Sequence, residues 1–333
     1  MKLLFAFLTI AAILSASCTK VSNKFNAART RRVEEKYLFQ PQRTTARPEM
    51  WNRRNIEVPL PDGNTLRGFA ILRPDPVANI LYFGGASELS QAATNRIMGW
   101  AGRYNVNVIF VDYRGYGASS GLPAIKHLPG DALRVFDATS ETRGEIPNFV
   151  IGFSIGSIPA TYLAAHRPIE GLVLLAPISS FADEDMYPRK QLRAGEPWYI
   201  RPFASFLKVE RDYEIPEGSE PVYQITQVSA PLLLIHGEAD VAVPALCGKK
   251  VYELAPGNKS LLLIPGLGHD DLSLIDGSGA DTFTAFMADC LGIEIDGSLE
   301  VITEVIGEYI IYELIDGTSN SSEESENDEH DEH

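Results

Sequence analysis

Residues 148–156 of this chain read NFVIGFSIG, and this stretch decides the fold prediction. An apolar run leads into a serine that stands between two glycines, and residues 155–166 continue as a helical pattern. The order predicts a strand, a tight turn and a helix. Because Gly152 and Gly156 have no side chains, the backbone can turn sharply at Ser154 and leave its hydroxyl exposed.

Strands and helices alternate on both sides of this turn. The predicted strands are residues 55–60, 65–72, 78–83, 107–111, 148–151, 172–175, 232–235 and 261–264. The predicted helices are residues 90–104, 127–142, 155–166 and 281–291. Residues 61–64 read PDGN, a turn that makes the first two strands an antiparallel hairpin. The later strands are apolar on both faces, so we predict an α/β fold with a mostly parallel central sheet and helices on both faces.

The pattern also predicts the boundaries of the segments. The globular domain spans residues 51–292, and residues 178–230 are too long for a simple loop, so they are predicted as a modest cap insertion. Residues 293–316 form a C-terminal extension, in which 299–314 fit a helix and a hairpin equally well. Residues 317–333 are acidic and predicted to be disordered.

The N-terminus resembles the signal peptide of bacterial lipoproteins. Lys2 precedes an apolar run, and small residues lead directly to Cys18, although Ser15 stands where that motif prefers leucine. The resemblance implies that residues 1–18 are a signal peptide, that Cys18 is acylated, and that residues 19–50 are a polar tether. The implied location is the cell envelope, on the outer membrane surface. Simple secretion or a periplasmic location is the alternative.

Composition excludes some partners and cofactors. The formal net charge of −15 argues against nucleic acid binding, which usually needs a basic face. No Cys/His spacing typical of zinc is present, so we expect no metal and no other cofactor. Cys247 and Cys290 remain beside Cys18, and we expect them to be buried free thiols, with a disulfide as the alternative.

Ser154 needs a base, because a serine hydroxyl is a weak nucleophile at neutral pH. His269 lies in the glycine-rich segment 265–270, PGLGHD, just after the last predicted sheet strand. Asp240 follows the preceding strand and is the candidate acid that orients the histidine. The order serine, aspartate, histidine along the chain is the one that a Ser-His-Asp triad adopts when serine follows a strand-to-helix turn.

Other residues near these positions receive different predictions. Glu238 is the competing acid but is interpreted as a solvated loop residue, and His236, at a strand end, is interpreted as structural. Asp270 and Asp271 adjoin His269 and would have to reach back to it. Arg114 is also given a structural role.

An oxyanion that forms at Ser154 needs backbone donors. The amide of Ile155 is predicted as one donor, because it lies at the start of the helix. The second is predicted in residues 84–88, GGASE, where we assign the amide of Ala86, with Gly85 as the alternate. The alternative is that this segment is a tight turn with no role in catalysis.

Four motifs together resemble the α/β-hydrolase family of serine hydrolases. They are residues 112–121 (DYRGYGASSG), 152–156 (GFSIG), 236–244 (HGEADVAVP) and 268–269 (GH). Over residues 54–291 the chain resembles small bacterial hydrolases related to protein depalmitoylases. One departure is Gly84, where such proteins often carry a histidine.

The resemblance implies the α/β-hydrolase fold and hydrolysis of a small acyl ester or thioester, with the membrane surface as a partner through the lipidated N-terminus. Two alternatives remain. A peptidase or amidase would use the same triad, and a surface lipoprotein would bind lipid or a partner without catalysis.

Overall fold

The computed structural model describes residues 30–34, 39, 41, 53–89, 94–181, 208–212, 214–274, 277–293, 299–306 and 309–316. The strands are β1 Thr30–Glu34, β2 Arg53–Pro59, β3 Thr65–Ile71, β4 Ala78–Phe83, β5 Val106–Val111, β6 Asn148–Phe153, β7 Gly171–Leu175, β8 Lys208–Asp212, β9 Leu232–Gly237, β10 Lys259–Ile264, β11 Leu299–Ile306 and β12 Tyr309–Asp316. The helices are α1 Thr94–Arg103, α2 Leu128–Ala138, α3 Ser140–Arg143, α4 Ser157–His166, α5 Pro221–Gln224, α6 Ala245–Leu254 and α7 Gly277–Leu291. The predicted signal peptide, Cys18, residues 182–207 of the predicted cap and the acidic tail lie outside these described residues.

An eight-stranded sheet in the order β10-β9-β7-β6-β4-β5-β3-β2 forms the centre of the molecule. The strands from β10 to β5 run parallel, and β3 and β2 are added antiparallel at one edge. The fold-class prediction is therefore confirmed. After β4 the chain forms β5 on one side and then returns to form β6 on the other, so the strand order switches direction at β4. In open α/β sheets the crevice at the carboxyl ends of such strands is the usual ligand site.

Two hydrophobic clusters cover the two faces of the sheet. On β6, Val150 packs into one cluster, whereas Phe149 and Ile151 pack into the other. This alternation follows from the two-residue period of a strand. Helices α2, α4 and α6 contribute to the first cluster, and α1 and α7 to the second. Because both faces are buried, the central strands are mainly apolar, which is why their sequences predicted a covered parallel sheet.

Other described segments lie outside this sheet. β1, within the predicted tether, pairs in parallel with β8, within the predicted cap, from Thr30 opposite Lys208 to Glu34 opposite Asp212. Phe39 is buried, with its ring edge-on to Tyr116 at 6.4 Å. β11 and β12 pair antiparallel, which agrees with the hairpin alternative for residues 299–314. Within the described residues, none of the helices has the length and apolar character that a membrane span requires.

Candidate active site

Ser154 stands on a strained turn between β6 and α4. Its φ angle is +54°, a left-handed conformation that residues other than glycine adopt rarely. The two flanking glycines are required by close packing. A Cβ atom on Gly156 would come within 2.1 Å of the carbonyl oxygen of Phe83, and one on Gly152 within 2.6 Å of the Cβ of Ala160. The turn therefore fits between β4 and α4 only without side chains at these two positions.

His269 reaches Ser154 from the loop after β10. Its Nε2 lies 2.9 Å from the Oγ of Ser154, and its Nδ1 lies 2.6 Å from the Oδ2 of Asp240. The imidazole is held on one side by the ring of Phe153, whose centroid is 5.0 Å away. With Nδ1–H donating to the carboxylate, Nε2 is left as the acceptor for the serine hydroxyl.

The loops that carry Asp240 and His269 are joined by backbone hydrogen bonds. The N–H of Ala239 donates to the carbonyl of Leu267 at 2.9 Å, and the N–H of Glu238 donates to Ile264 at 3.0 Å. A Cβ atom on Gly237 would lie only 2.3 Å from the Leu267 carbonyl oxygen, so glycine permits this approach. The distance between acid and base is therefore fixed by main-chain contacts.

Asp240 has a fully buried side chain that is well supplied with donors. Its Oδ1 accepts the N–H groups of Ala242 and Val243, both at 2.8 Å, while Oδ2 faces His269. Burial by itself raises the pKa of this carboxyl, but hydrogen bonds from His236, His269 and the Val243 backbone outweigh it and hold the pKa well below its usual range. Asp240 is therefore an ionised carboxylate at neutral pH.

The other acids that the sequence analysis considered do not contact the histidine ring. Glu238, Asp270 and Asp271 are all exposed. The Oδ2 of Asp271 instead accepts the N–H of Gly268 at 2.8 Å, which closes the turn before His269. These positions agree with the interpretation of Glu238 as a solvated residue.

His236 contacts the same carboxylate, a contact that the sequence did not reveal. Its side chain is fully buried, and its Nε2 lies 2.9 Å from the carbonyl of Val243 and 3.3 Å from the Oδ2 of Asp240. Since both neighbours are acceptors, the proton is on Nε2. The only sequence signal was the position of His236, four residues before the acid on a strand end.

The segment Gly84–Glu88 lies beside Ser154, at the carboxyl end of β4. A Cβ atom on Gly85 would lie 3.8 Å from the Cβ of Ser154. The hydroxyl of Tyr113 donates to the carbonyl of Gly84 at 2.8 Å, and the hydroxyl of Tyr116 donates to the carbonyl of Ala86 at 2.5 Å. The loop after β5 therefore fixes the backbone of this segment.

Arg114 has the structural role that the sequence predicts. It is buried, and its guanidinium makes a two-point contact with Asp131 at 2.7 and 2.8 Å and also contacts Asp62. These contacts connect the loop after β5 to α2 through Asp131 and to the turn between β2 and β3 through Asp62. Cys247 and Cys290 are both free thiols, the first buried and the second partly exposed. No group of metal-ligating side chains occurs in the described part of the chain.

Comparison with known proteins supports this reading of the fold. A family described as serine aminopeptidase, S33 (Hydrolase_4), matches residues 74–215. The α/β-hydrolase domain-containing protein aho-3 of Caenorhabditis elegans is 30% identical over 214 residues, which is 61% of this chain and 56% of that protein. Human ABHD12B is 31% identical over 206 residues, covering 57% and 55%. This chain thus spans just over half the length of the curated relatives it matches.

A solved structure extends the likeness beyond the aligned sequence. The esterase Pf2001 of Pyrococcus furiosus superposes with a TM-score of 0.56 at 17% identity, covering 77% of this chain and 97% of that one. At that identity the likeness concerns the fold alone. The sheet order, the strand-to-helix turn at Ser154 and these similarities together show that the chain has the α/β-hydrolase fold.

Proposed function

We propose that this chain is a serine hydrolase that cleaves carboxylic esters or thioesters through an acyl-enzyme. One observation carries the proposal: the unbroken line of contacts from the Oγ of Ser154 to His269 at 2.9 Å and from His269 to Asp240 at 2.6 Å. The distance from Ser154 to His269 suits transfer of the hydroxyl proton to Nε2, and the contact with Asp240 orients the imidazole for that step. No other buried carboxylate among the described residues contacts His269.

In the first half of the reaction, the Oγ of Ser154 attacks the acyl carbonyl and His269 takes its proton at Nε2. Asp240, which is ionised, stabilises the imidazolium that forms and keeps the proton on Nδ1. His269 then gives the proton to the leaving alcohol or thiol. In the second half, water attacks the acyl-serine, and His269 again accepts and returns the proton.

The negative charge on the carbonyl oxygen during each attack requires donors that are already oriented. The amide of Ile155 belongs to the first turn after Ser154, where backbone N–H groups have no acceptor within the helix. The amide of Ala86 comes from the segment beside Ser154. Both loops are held by contacts to neighbouring elements, so the donors need no rearrangement during the reaction.

The test is hydrolysis of a series of p-nitrophenyl acyl esters by the full chain and by Ser154→Ala. Loss of a triad nucleophile is expected to lower kcat by on the order of 10⁴-fold or more. Thr161→Val, which changes a hydroxyl buried in α4, is the matched control and should keep the parent rate. If the parent and Ser154→Ala are equally slow, Ser154 does not act as a nucleophile on esters, and amide substrates or the non-catalytic lipoprotein hypothesis take precedence.

Amide hydrolysis is the second candidate, because the family that matches residues 74–215 is described as a serine aminopeptidase. The same triad serves both reactions, so geometry alone does not separate them. Aminoacyl p-nitroanilides and p-nitrophenyl esters of matched size should be compared by kcat/KM. A higher kcat/KM on the anilides, corrected for their intrinsic reactivity, would identify a peptidase.

The cell envelope is the proposed location, with acylated Cys18 as the anchor and the membrane surface as partner. The sequence at residues 1–18 supports this, because it ends in small residues directly before the cysteine. Each buried CH₂ of an acyl chain contributes about 0.8 kcal/mol to membrane binding. Intact-mass measurement of the membrane fraction should find acylation that Cys18→Ala abolishes. An unmodified protein in the soluble fraction would contradict the anchor.

A further inference from the structure

We infer that Glu88 is a positioning residue that orients the second oxyanion donor, the amide of Ala86. The inference rests on the proposed hydrolase function. The Glu88 side chain is buried beneath the segment Gly84–Ala86, with the residue 9% exposed. Its Oε2 accepts the hydroxyl of Tyr82 at 2.5 Å and the N–H of Gly85 at 3.2 Å. A carboxylate in this position forms a hydrogen bond to the loop and is largely shielded from solvent.

The carboxylate occupies the space that a side chain at position 84 would take. A Cβ atom on Gly84 would lie 2.7 Å from the Oε2 of Glu88 and 3.1 Å from the ring of Phe110. Histidine often stands at this position in the family that the sequence resembles, and here glycine leaves room for Glu88 instead. The absence of a side chain at Gly84 therefore makes room for the buried carboxylate of Glu88.

Hydrogen bonds hold three successive carbonyl groups of this segment. The carbonyl of Gly84 accepts from Tyr113, that of Gly85 accepts from the N–H of Glu88 at 3.2 Å, and that of Ala86 accepts from Tyr116. The peptide between Gly84 and Gly85 is held at both ends, because its N–H donates to Glu88. The Gly85 amide is thus occupied, which excludes it as the alternate donor.

The Ala86 amide remains as the donor beside Ser154. In a trans peptide the N–H points opposite to the carbonyl of the preceding residue. Because the Gly85 carbonyl is turned toward the backbone of Glu88, the Ala86 N–H is turned to the other side. Glu88 thus holds both peptides that flank Gly85: its own N–H donates to the Gly85 carbonyl, in the peptide that carries the Ala86 N–H, and its carboxylate accepts the Gly85 N–H, in the peptide before it.

The test compares Glu88→Met with Glu88→Gln in the full chain. Methionine fills the space but removes the strong acceptor, whereas glutamine keeps an oxygen for Tyr82 and Gly85. The readouts are kcat and KM on a p-nitrophenyl ester, and the inhibition constant of a trifluoromethyl ketone whose adduct with Ser154 carries an oxyanion. Removing one oxyanion donor costs about 10²–10³ in kcat, and a misplaced donor should cost less, about 10- to 100-fold.

Glu88→Met should lower kcat by about 10- to 100-fold and change KM by less than about twofold. The inhibition constant of the ketone should rise by a factor similar to the loss in kcat. Glu88→Gln should recover most of the rate. Asn79→Leu is the control, since Asn79 is a buried polar residue at the opposite end of β4, about 15 Å away along the strand. It should lower the melting temperature and leave the kcat of the folded protein and the ketone affinity unchanged.

A parent-like kcat in Glu88→Met, an unchanged ketone affinity, or an equal loss in both Glu88 variants would overturn the inference. If Glu88→Met does not fold, Tyr82→Phe replaces it, because it keeps the ring packed on Trp100 and removes only the hydroxyl. A several-fold lower kcat then supports the inference, and a parent-like kcat overturns it. Failure of the proposed function is separate, since it appears as equal activity of the parent and Ser154→Ala.

Discussion

The Nε2 of His236 lies 3.3 Å from the same carboxylate oxygen of Asp240 that the Nδ1 of His269 contacts at 2.6 Å. Two imidazoles therefore converge on one oxygen, and backbone N–H groups hold the other oxygen. His236 is fully buried, and a Cβ atom on Gly248 would lie 2.5 Å from its Nδ1, so glycine at position 248 leaves the space that the imidazole ring occupies. The orientation of the acid is thus fixed before any substrate binds.

Replacing His236 tests this arrangement. His236→Leu removes the donor to Asp240 and leaves the Val243 carbonyl without it, so we expect a loss of about 1–3 kcal/mol in the free energy of unfolding. We also expect about tenfold lower kcat with little change in KM, because a less constrained carboxylate orients the base poorly. His236→Gln keeps a donor, so it should recover part of the free energy of unfolding and part of kcat. Urea unfolding and ester hydrolysis provide the two measurements, and unchanged kcat in His236→Leu would contradict the expectation.

The acid itself is tested by Asp240→Asn. The uncharged amide does not stabilise an imidazolium and favours the wrong tautomer of His269, so kcat should fall by about 10⁴-fold while KM changes little. Glu238→Gln is the matched control, because Glu238 is an exposed acid two residues away in the same loop. It should retain the parent rate. Loss of activity in Glu238→Gln with retention in Asp240→Asn would assign the acid to Glu238 instead.

Sequence patterns predicted the central strands because burial on both faces makes each of them a short apolar run. They predicted residues 127–142 as one helix, whereas α2 ends at Ala138 and α3 begins at Ser140. The side chain of Thr139 bonds the carbonyls of Val135 and Phe136 at 2.8 and 3.2 Å, a local competition with the helix ladder that periodicity does not register.

The candidate triad was predictable because each member follows a strand and the order along the chain is restrictive. The residues that hold the segment beside Ser154 in place were not predictable from the sequence. Tyr113 and Tyr116 reach Gly84 and Ala86 across about thirty positions of sequence, and their partners are main-chain carbonyls, which leave no mark in the sequence. Likewise, β1 and β8 pair through the polar segments TRRVE and KVERD, which lack the apolar run that identifies the central strands.

The glycines of the turn provide a test of its packing. Gly156→Ala would bring a Cβ atom to 2.1 Å from the carbonyl oxygen of Phe83, which is backbone and yields only if β4 or the turn moves. We expect loss of most activity together with a clearly lower melting temperature. Gly130→Ala in α2 is the matched control, since a Cβ atom there meets nothing within 4 Å. Alanine in that helix should stabilise the protein by roughly 0.5–1 kcal/mol. Equal behaviour of the two variants would mean that the turn at Ser154 tolerates a side chain.

Arg114 lies in the loop that holds Gly84 and Ala86, and it forms an ion pair with Asp62. A hydrogen bond from Arg114 is the main cause that lowers the pKa of Asp62 to about 2, below the value of about 3.9 for an unfolded chain. A group with a lowered pKa in the folded state stabilises it above the unfolded pKa, and this contribution is lost as pH falls toward the folded value.

The melting temperature of the parent should therefore exceed that of Asp62→Asn at about pH 6, and the difference should shrink below about pH 4 and be lost as pH falls through about 2. Asp75→Asn, which removes an exposed carboxylate from the loop between β3 and β4, is the control for the loss of one negative charge. Its difference from the parent should be small. A difference between the parent and Asp62→Asn that persists unchanged to pH 2 would show that Asp62 stabilises the loop through packing and not through its charge on Arg114.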